Sequence, residues 1–180
     1  MPPLSLRPAV PADGPAIAAI QLAAWRATYG RLNPALVDGL DLDRTSANWA
    51  RAAADPARRL RLAESGATAV GYALSGPAES GPDGTGEIDA VYLLPTAQGQ
   101  GGGRLLVEDA LLGLGEAGHG ECVVWVVEQN AGARAFYERV GFRPDDGRDT
   151  WRGLPVVRYR AATPAVPRRQ ADGIDPGRRH

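Results

Sequence analysis

The stretch Gln98-Gly99-Gln100-Gly101-Gly102-Gly103-Arg104 puts glycine at four of five consecutive positions, between two segments of opposite character. Before it lies a mostly apolar run, residues 88–94, that ends at Pro95. After it comes a helix-like segment, residues 105–112. A strand, a glycine-dense turn and a helix in that order point to an α/β arrangement in which backbone N–H groups are aimed at a phosphate. Glycines let the backbone approach closely and reach positive φ, and a helix start adds partial positive charge. Alone, such a turn is equally compatible with a flexible connection between two ordinary elements.

Two phosphate loops are excluded by spacing. A Walker A loop requires Lys and Ser/Thr after its last glycine; here Arg104 and Leu105 follow Gly103, and the chain has no lysine. A dinucleotide fingerprint, G-x-G-x-x-G/A, requires a third small residue. Counting from Gly99 it falls on Arg104, and from Gly101 on Leu106.

Length and charge narrow the class. At 180 residues the chain has the size of one domain with a proper core. A net charge of −1 provides no electrostatic footprint for nucleic acid or an anionic membrane, so neither is expected as a partner. The absence of lysine excludes a lysine Schiff base, and the single Cys122 excludes a disulfide framework or a multi-cysteine zinc site; no metal is expected. No window holds eighteen apolar residues, and Met1-Pro2-Pro3-Leu4 does not open a signal peptide, so the expected location is cytoplasmic.

Periodicity supplies the elements. A first strand is predicted over 4–7, followed by a helix capped by Asp13 with Pro15 in its first turn. Ile17, Ile20 and Ala24 form one apolar stripe on it, and Leu22, Trp25 and Tyr29 a second. Gly30 and Pro34 interrupt the pattern, and a further helix is predicted over 43–54. Strands follow at 59–64 and 68–75, then a surface loop over 76–86 and a strand over 87–94. Beyond the glycines come a helix at 105–117, a buried strand at 122–127, a helix at 130–140, and a closing hairpin from 150–152 and 156–160. The organisation is one domain over 1–160; residues 161–180, rich in Pro, Gly, Arg and Asp, read as a disordered tail.

Gln98, Gly101 and Gly103 satisfy Q-x-x-G-x-G, which resembles the pyrophosphate loop of the GNAT superfamily of N-acetyltransferases. The segment from Asn130 through Ala133, Phe136, Tyr137 and Glu138 to Gly141 and Phe142 is similar to that family's N-x-x-A-x-x-F-Y-E-x-x-G-F. Ala24-Trp25-Arg26-Ala27-Thr28-Tyr29 resembles the first helix of a bacterial subgroup, so the likeness spans about residues 4 to 160. The resemblance implies an α/β (α+β) fold: a mixed, mostly antiparallel sheet of about seven strands flanked by helices and splayed between the strands at 87–94 and 122–127. It also implies acetyl-CoA as co-substrate, and a small-molecule or peptide amine that attacks directly in a ternary complex. The expected state is a monomer or homodimer. The alternative is an acyl-CoA-binding sensor or interaction module with little catalytic activity.

The same resemblance assigns roles. Gln98, Gly99, Gln100, Gly101, Gly102, Gly103 and Arg104 would hold the pyrophosphate, with Arg104 alternatively a solvated first-turn arginine. Val91, Tyr92 and Leu93 would meet the pantetheine through backbone groups, the Leu93 N–H polarising the carbonyl. Tyr137 is the candidate acid for the departing thiolate, because a phenol near pKa 10 and a thiol near 8.5 are matched within roughly 1–2 units. Asn130 would bond the pantetheine arm or cap its helix. Glu87 is the candidate base. Asp89, on the same strand face by period-2 alternation, would attract a cationic amine, and Glu128 is a less well placed third carboxylate. Trp25 and Tyr29 would wall the acceptor pocket, or pack in the core. Where ribosomal-protein alanine acetyltransferases carry a glutamate base on the strand at 122–127, this chain has Trp125, which argues against their mechanism. Cys122 is expected as a small core residue, and His119 as exposed and inert.

Overall fold

The computed structural model describes residues 2–165. Strand β1 (Leu4–Pro8) leads into helices α1 (Gly14–Tyr29), α2 (Pro34–Asp38) and α3 (Leu42–Ala54). Strands β2 (Arg59–Ser65), β3 (Thr68–Pro77) and β4 (Thr85–Leu93) follow, then α4 (Gly102–Glu116), β5 (Glu121–Val127), α5 (Ala131–Arg139), and the hairpin β6 (Arg143–Trp151) and β7 (Leu154–Ala162). They form one seven-stranded sheet in the order β1-β2-β3-β4-β5-β7-β6. Every pairing is antiparallel except that of β4 with β5, so the sheet is mixed and mostly antiparallel.

Apolar residues on both faces of the sheet explain why helices cover both. On one face Ile88, Cys122, Val124 and Val126 pack with Val107, Ala110 and Leu114 of α4 and with Tyr137 of α5. On the other, Leu60, Leu62, Tyr72 and Leu74 pack with Ile17 and Ile20 of α1. Burying such side chains stabilises by about 1.5–3 kcal/mol each. Trp49 of α3 meets Tyr72 edge-on, the ring centroids 4.8 Å apart, and its Nε1–H donates to Gln21 Oε1 of α1 at 2.7 Å. That bond satisfies the indole N–H, which burial would otherwise strand.

Several expected boundaries move, each for a visible reason. Asp13 precedes α1 without capping it by its side chain; its carboxylate accepts from the Arg7 guanidinium and the Val10 N–H instead. A short helix, α2, occupies the interrupted stretch, with the Asn33 side chain accepting from the Leu36 N–H. The closing hairpin is far longer than two short runs. Arg158 and Arg160 of β7 both pair with Asp145 of β6, so a strand rich in charge is held by ion pairs rather than apolar periodicity. The tail is corrected at its start: Ala161 and Ala162 belong to β7, in register with Cys122 and Glu121. Residues 166–180 lie outside the described residues.

Candidate active site

The parallel ladder between β4 and β5 is three pairs long: Thr85 with Glu121, Gly86 with Cys122, and Glu87 with Val123. Beyond Glu87 the strands part. Both have other partners, since β4 stays paired to β3 as far as Leu93 and β5 stays paired to β7 through Val127. A cleft of about 980 Å³ opens in the gap, of the size usual for small-molecule sites. It is walled by β4, β5, α5, the start of α4, the end of α1 and the end of β6.

The backbone of β4 faces this gap. Leu94 N–H bonds the Val70 carbonyl on β3, which makes that pair, and Tyr92 with Tyr72 two residues earlier, the hydrogen-bonded kind. By antiparallel alternation Val91 and Leu93 then turn their N–H groups the other way, into the cleft. The Leu93 carbonyl receives the Gln98 side chain at 3.5 Å, which ties the end of the strand to the loop that follows.

That loop is preformed. Gly99 and Gly101 adopt φ of 76° and 84°, and a Cβ on either would meet nothing within 4 Å, so both need glycine for conformation and leave open space in front of the backbone. Helix α4 begins at Gly102 inside the glycine run, and Gly101 supplies no side-chain cap. The first N–H groups of α4 have no intrahelical acceptor and head toward the cleft mouth. A Cβ on Gly103 would lie 3.2 Å from Phe136 Cζ, so glycine there sets the approach of α4 to α5. Gly102 is buried and does not line the cleft, and Gln100 donates to the Thr96 carbonyl at 3.1 Å outside it. Arg104 lines the mouth, but its guanidinium is exposed and bonded to Glu108 at 2.7 Å.

At the fork stands Glu87. Burial first, then the charges of Asp89 and Glu79, push its carboxyl up to about 7; Arg58 and a hydrogen bond from the Glu79 backbone pull the other way. A carboxylate titrating near neutrality is able to take a proton at working pH. At Asp89 the strand is irregular. Ile88 pairs with Ser75 and Ala90 with Leu74, so Asp89 has no partner on β3 and sits in a β-bulge. Strict alternation ends there, and the Asp89 charge acts on Glu87 across the cleft wall. Asp89 still lines the cleft, raised by burial and ion-paired to Arg58 at 3.1 Å.

Tyr137 projects from α5 into the cleft, its ring 5.1 Å from Phe136 and 5.4 Å from Phe142. Burial raises its phenol well above the ordinary 10, further from a free thiol than its ordinary value implies. Asn130 does cap α5, its Oδ1 accepting from the Ala133 N–H at 3.0 Å. The nearby Tyr29 hydroxyl is pushed up by burial, with the Tyr92 and Asn130 side chains acting the other way. Tyr29 lines the cleft. Trp25 does not: it is buried behind Tyr29, edge-on to Trp151 at 5.4 Å. Cys122 is fully buried and pushed up to about 12 by burial, a core thiol without nucleophilic character. Glu128 is exposed directly after the end of β5 and does not line the cleft.

The cleft also takes in residues that sequence patterns did not assign to it. Trp125 lines it from β5, and Asp149 and Trp151 come from the hairpin that the pattern cut short. Glu79 and Ser80 come from the loop after β3. Only the bulge and the splay bring these groups to one cavity. No cluster of His, Cys, Asp or Glu able to hold a metal occurs among the described residues, and no described helix is long and apolar enough to cross a membrane.

A seven-stranded sheet split after Glu87, with a glycine-started helix beside the split, is matched by known proteins. Residues 17–142 match the Acetyltransferase (GNAT) family. The probable N-acetyltransferase Rv2775 of Mycobacterium tuberculosis is 31% identical over 172 residues, 91% of this chain and 97% of the relative. The ribosomal-protein-alanine N-acetyltransferase of Brucella melitensis superposes with a TM-score of 0.69 at 25% identity, covering 88% of this chain and 99% of that one. The PaiA N-acetyltransferase of Thermoplasma acidophilum, solved in complex with coenzyme A, gives the same TM-score at 17% identity, over 87% and 98% of the two chains, and shows the fold alone. The chain belongs to the GNAT acetyltransferase family, and it is an acyltransferase by class.

Proposed function

We propose that this protein transfers the acetyl group of acetyl-CoA to an amine by direct attack while both are bound. One observation carries the reading: β4 and β5 part at Glu87 beside a helix N-terminus with no side-chain cap, so a donor site and a proton acceptor open onto one cleft. The residues fit the donor. The open backbone in front of Gly99 and Gly101 and the first N–H groups of α4 suit a pyrophosphate, and the outward N–H groups of Val91 and Leu93 suit the amides of a pantetheine arm. Bound acetyl-CoA supplies an activated thioester acetyl group.

The chain's own groups do the rest. The Leu93 N–H holds the acetyl carbonyl and favours the charge that develops on its oxygen. Glu87 accepts the proton of the attacking nitrogen, and its pKa near 7 keeps it ionised in a useful fraction at neutral pH. Tyr137 donates to the departing sulfur. Burial makes Tyr137 a weaker acid, but the same dry surroundings raise the pKa of a thiol formed there, so donor and acceptor stay matched. Asn130 spends its oxygen on the cap of α5, which leaves its amide N–H groups for the pantetheine arm. A Glu87 held near neutrality favours an enzyme over a binding module that only senses acyl-CoA.

The test is thermal stability with millimolar acetyl-CoA, together with free-thiol release over a panel of amines. A stabilising shift with amine-dependent thiol release supports the proposal. No shift defeats it, and a shift without thiol release from any amine leaves only the sensor.

A further inference from the structure

The open end of the cleft differs in chemistry from its fork. Glu87 and its partner Val123 mark the fork, and Trp125 and Val127 follow further along β5. Val127 pairs with Val156 of β7, and Trp151 of β6 pairs with Leu154 at the start of that strand. Tyr92 closes the other side near the end of β4, and Tyr29 joins from the end of α1. Tyr29, Tyr92, Trp125, Val127, Trp151 and Val156 all line the cleft and all belong to one apolar cluster.

Trp25 organises that cluster from behind. Its buried indole meets the rings of Tyr29, Tyr92 and Trp151 edge-on, with centroids 6.3, 6.4 and 5.4 Å away. One side chain outside the cleft therefore backs three rings that line it. Tyr29 and the two valines are buried, but Tyr92, Trp125 and Trp151 are only partly so. Apolar surface left open in a concave site is the usual mark of a ligand pocket.

The same rings already have their cations. The Arg152 guanidinium lies 5.5 Å from the Trp25 centroid and 5.7 Å from that of Trp151, and the Arg158 guanidinium lies 5.4 Å from that of Trp125. Neither arginine lines the cleft. A ligand cation brought against these indoles would meet the charge of the chain's own arginines, so the pocket suits an uncharged group. Its polar neighbours Asp149 and Thr150 are exposed on the edge strand β6 and form a rim.

Resting on the acetyl-transfer reading above, we infer that the acceptor is an amine carrying an uncharged aromatic group, seated among Tyr29, Tyr92, Trp125 and Trp151. Aromatic walls favour an aromatic occupant through edge and offset ring contacts. The acetyl group held at the Leu93 N–H stands next to Tyr92 in the chain, so an attacking nitrogen has this pocket on one side and Glu87 on the other. The neutral nitrogen bonds to the acetyl carbon as the carbon–sulfur bond breaks. Its surplus proton passes to Glu87, the sulfur takes one from Tyr137, and solvent restores both residues.

Three amines test this, each with the full chain and saturating acetyl-CoA: a phenylalkylamine, a short alkylamine and a diaminoalkane. The phenylalkylamine should exceed the alkylamine in kcat/KM by about ten- to a hundred-fold, the scale of burying one ring, and the diamine should gain nothing over the alkylamine. Trp151→Ala and the milder Trp125→Leu should each shrink the aryl preference, with calorimetric binding of acetyl-CoA confirming that each variant is folded. Equal turnover of aryl and alkyl amines, a preference for the diamine, or an aryl preference that both variants keep overturns the aromatic acceptor while acetyl transfer stands. No thiol released from any of the three, with no binding of acetyl-CoA, overturns both.

Discussion

Glu87 pairs with Val123, and with that pair the ladder between β4 and β5 ends. The carboxyl that burial pushes up to about 7 is therefore also the hinge of the split. The charge at Glu87 comes out of water because the two strands still meet there, and it opens onto a cavity because they meet no further. One backbone event sets both burial and access.

Glu87→Gln should lower kcat about a hundred-fold or more with little change in acetyl-CoA affinity, the range typical of a lost general base. In the unaltered protein kcat/KM should rise as pH passes about 7, the value to which burial holds Glu87, because the deprotonated form is the active one. Steady-state rates across pH check both.

The same group costs stability. Its folded pKa lies above the unfolded value, so the folded state binds more protons between about 4.5 and 7, and stability falls as pH rises through that window. Glu87→Gln removes the penalty. Above neutral pH the variant should be more stable by about 1–2 kcal/mol, allowing for solvent screening at the cleft, and no more stable below pH about 4.5. Chemical denaturation at the two pH values measures the difference.

Tyr137→Phe keeps the ring between Phe136 and Phe142 and removes only the hydroxyl. We expect kcat to fall about ten- to a hundred-fold while acetyl-CoA affinity holds. An unchanged kcat in steady-state assays removes Tyr137 from the acid role.

Gly101 and Gly118 form a matched pair: φ is 84° and 91°, and neither has a neighbour that a methyl group would touch. Alanine at either should cost about 1 kcal/mol of stability from backbone strain alone. Only Gly101 lies at the start of α4 on the cleft. Calorimetric titration should show weaker acetyl-CoA binding for Gly101→Ala and none of that loss for Gly118→Ala.

Asn130 separates into two functions. Asn130→Asp keeps an oxygen for the Ala133 N–H but loses the amide N–H groups on the cleft wall. Asn130→Ala loses both and should cost about 1 kcal/mol more, the usual worth of a helix cap. Thermal melts of the two variants check this.

Much of the donor side was legible because its chemistry is local. Gln98, Gly101 and Gly103 sit within six residues, and the strand, turn and helix around them are contiguous. The order of β4, α4, β5 and α5 followed from apolar period and glycine punctuation. Of the opposite wall only Tyr29, Glu87 and Asp89 were legible, because the rest is assembled across the sheet. The bulge at Asp89 depends on pairing with β3, which no period within β4 reveals. Strand β6 is edge-paired and charged, so its apolar pattern is weak, and Asp149 and Trp151 reach the cleft only because Arg158 and Arg160 anchor the strand at Asp145. Edge strands commonly carry charge for this reason. Trp25 and Tyr29 share a helical stripe, yet one is buried behind the other, a distinction that periodicity does not make.

The most direct test is amine-dependent thiol release from acetyl-CoA by the unaltered protein and by Glu87→Gln, followed from about pH 5.5 to 9. The account predicts release that rises through an apparent pKa near 7 in the unaltered protein and a rate in the variant that is low and without that rise. Release that is independent of the amine, or an identical rise in the variant, would contradict it.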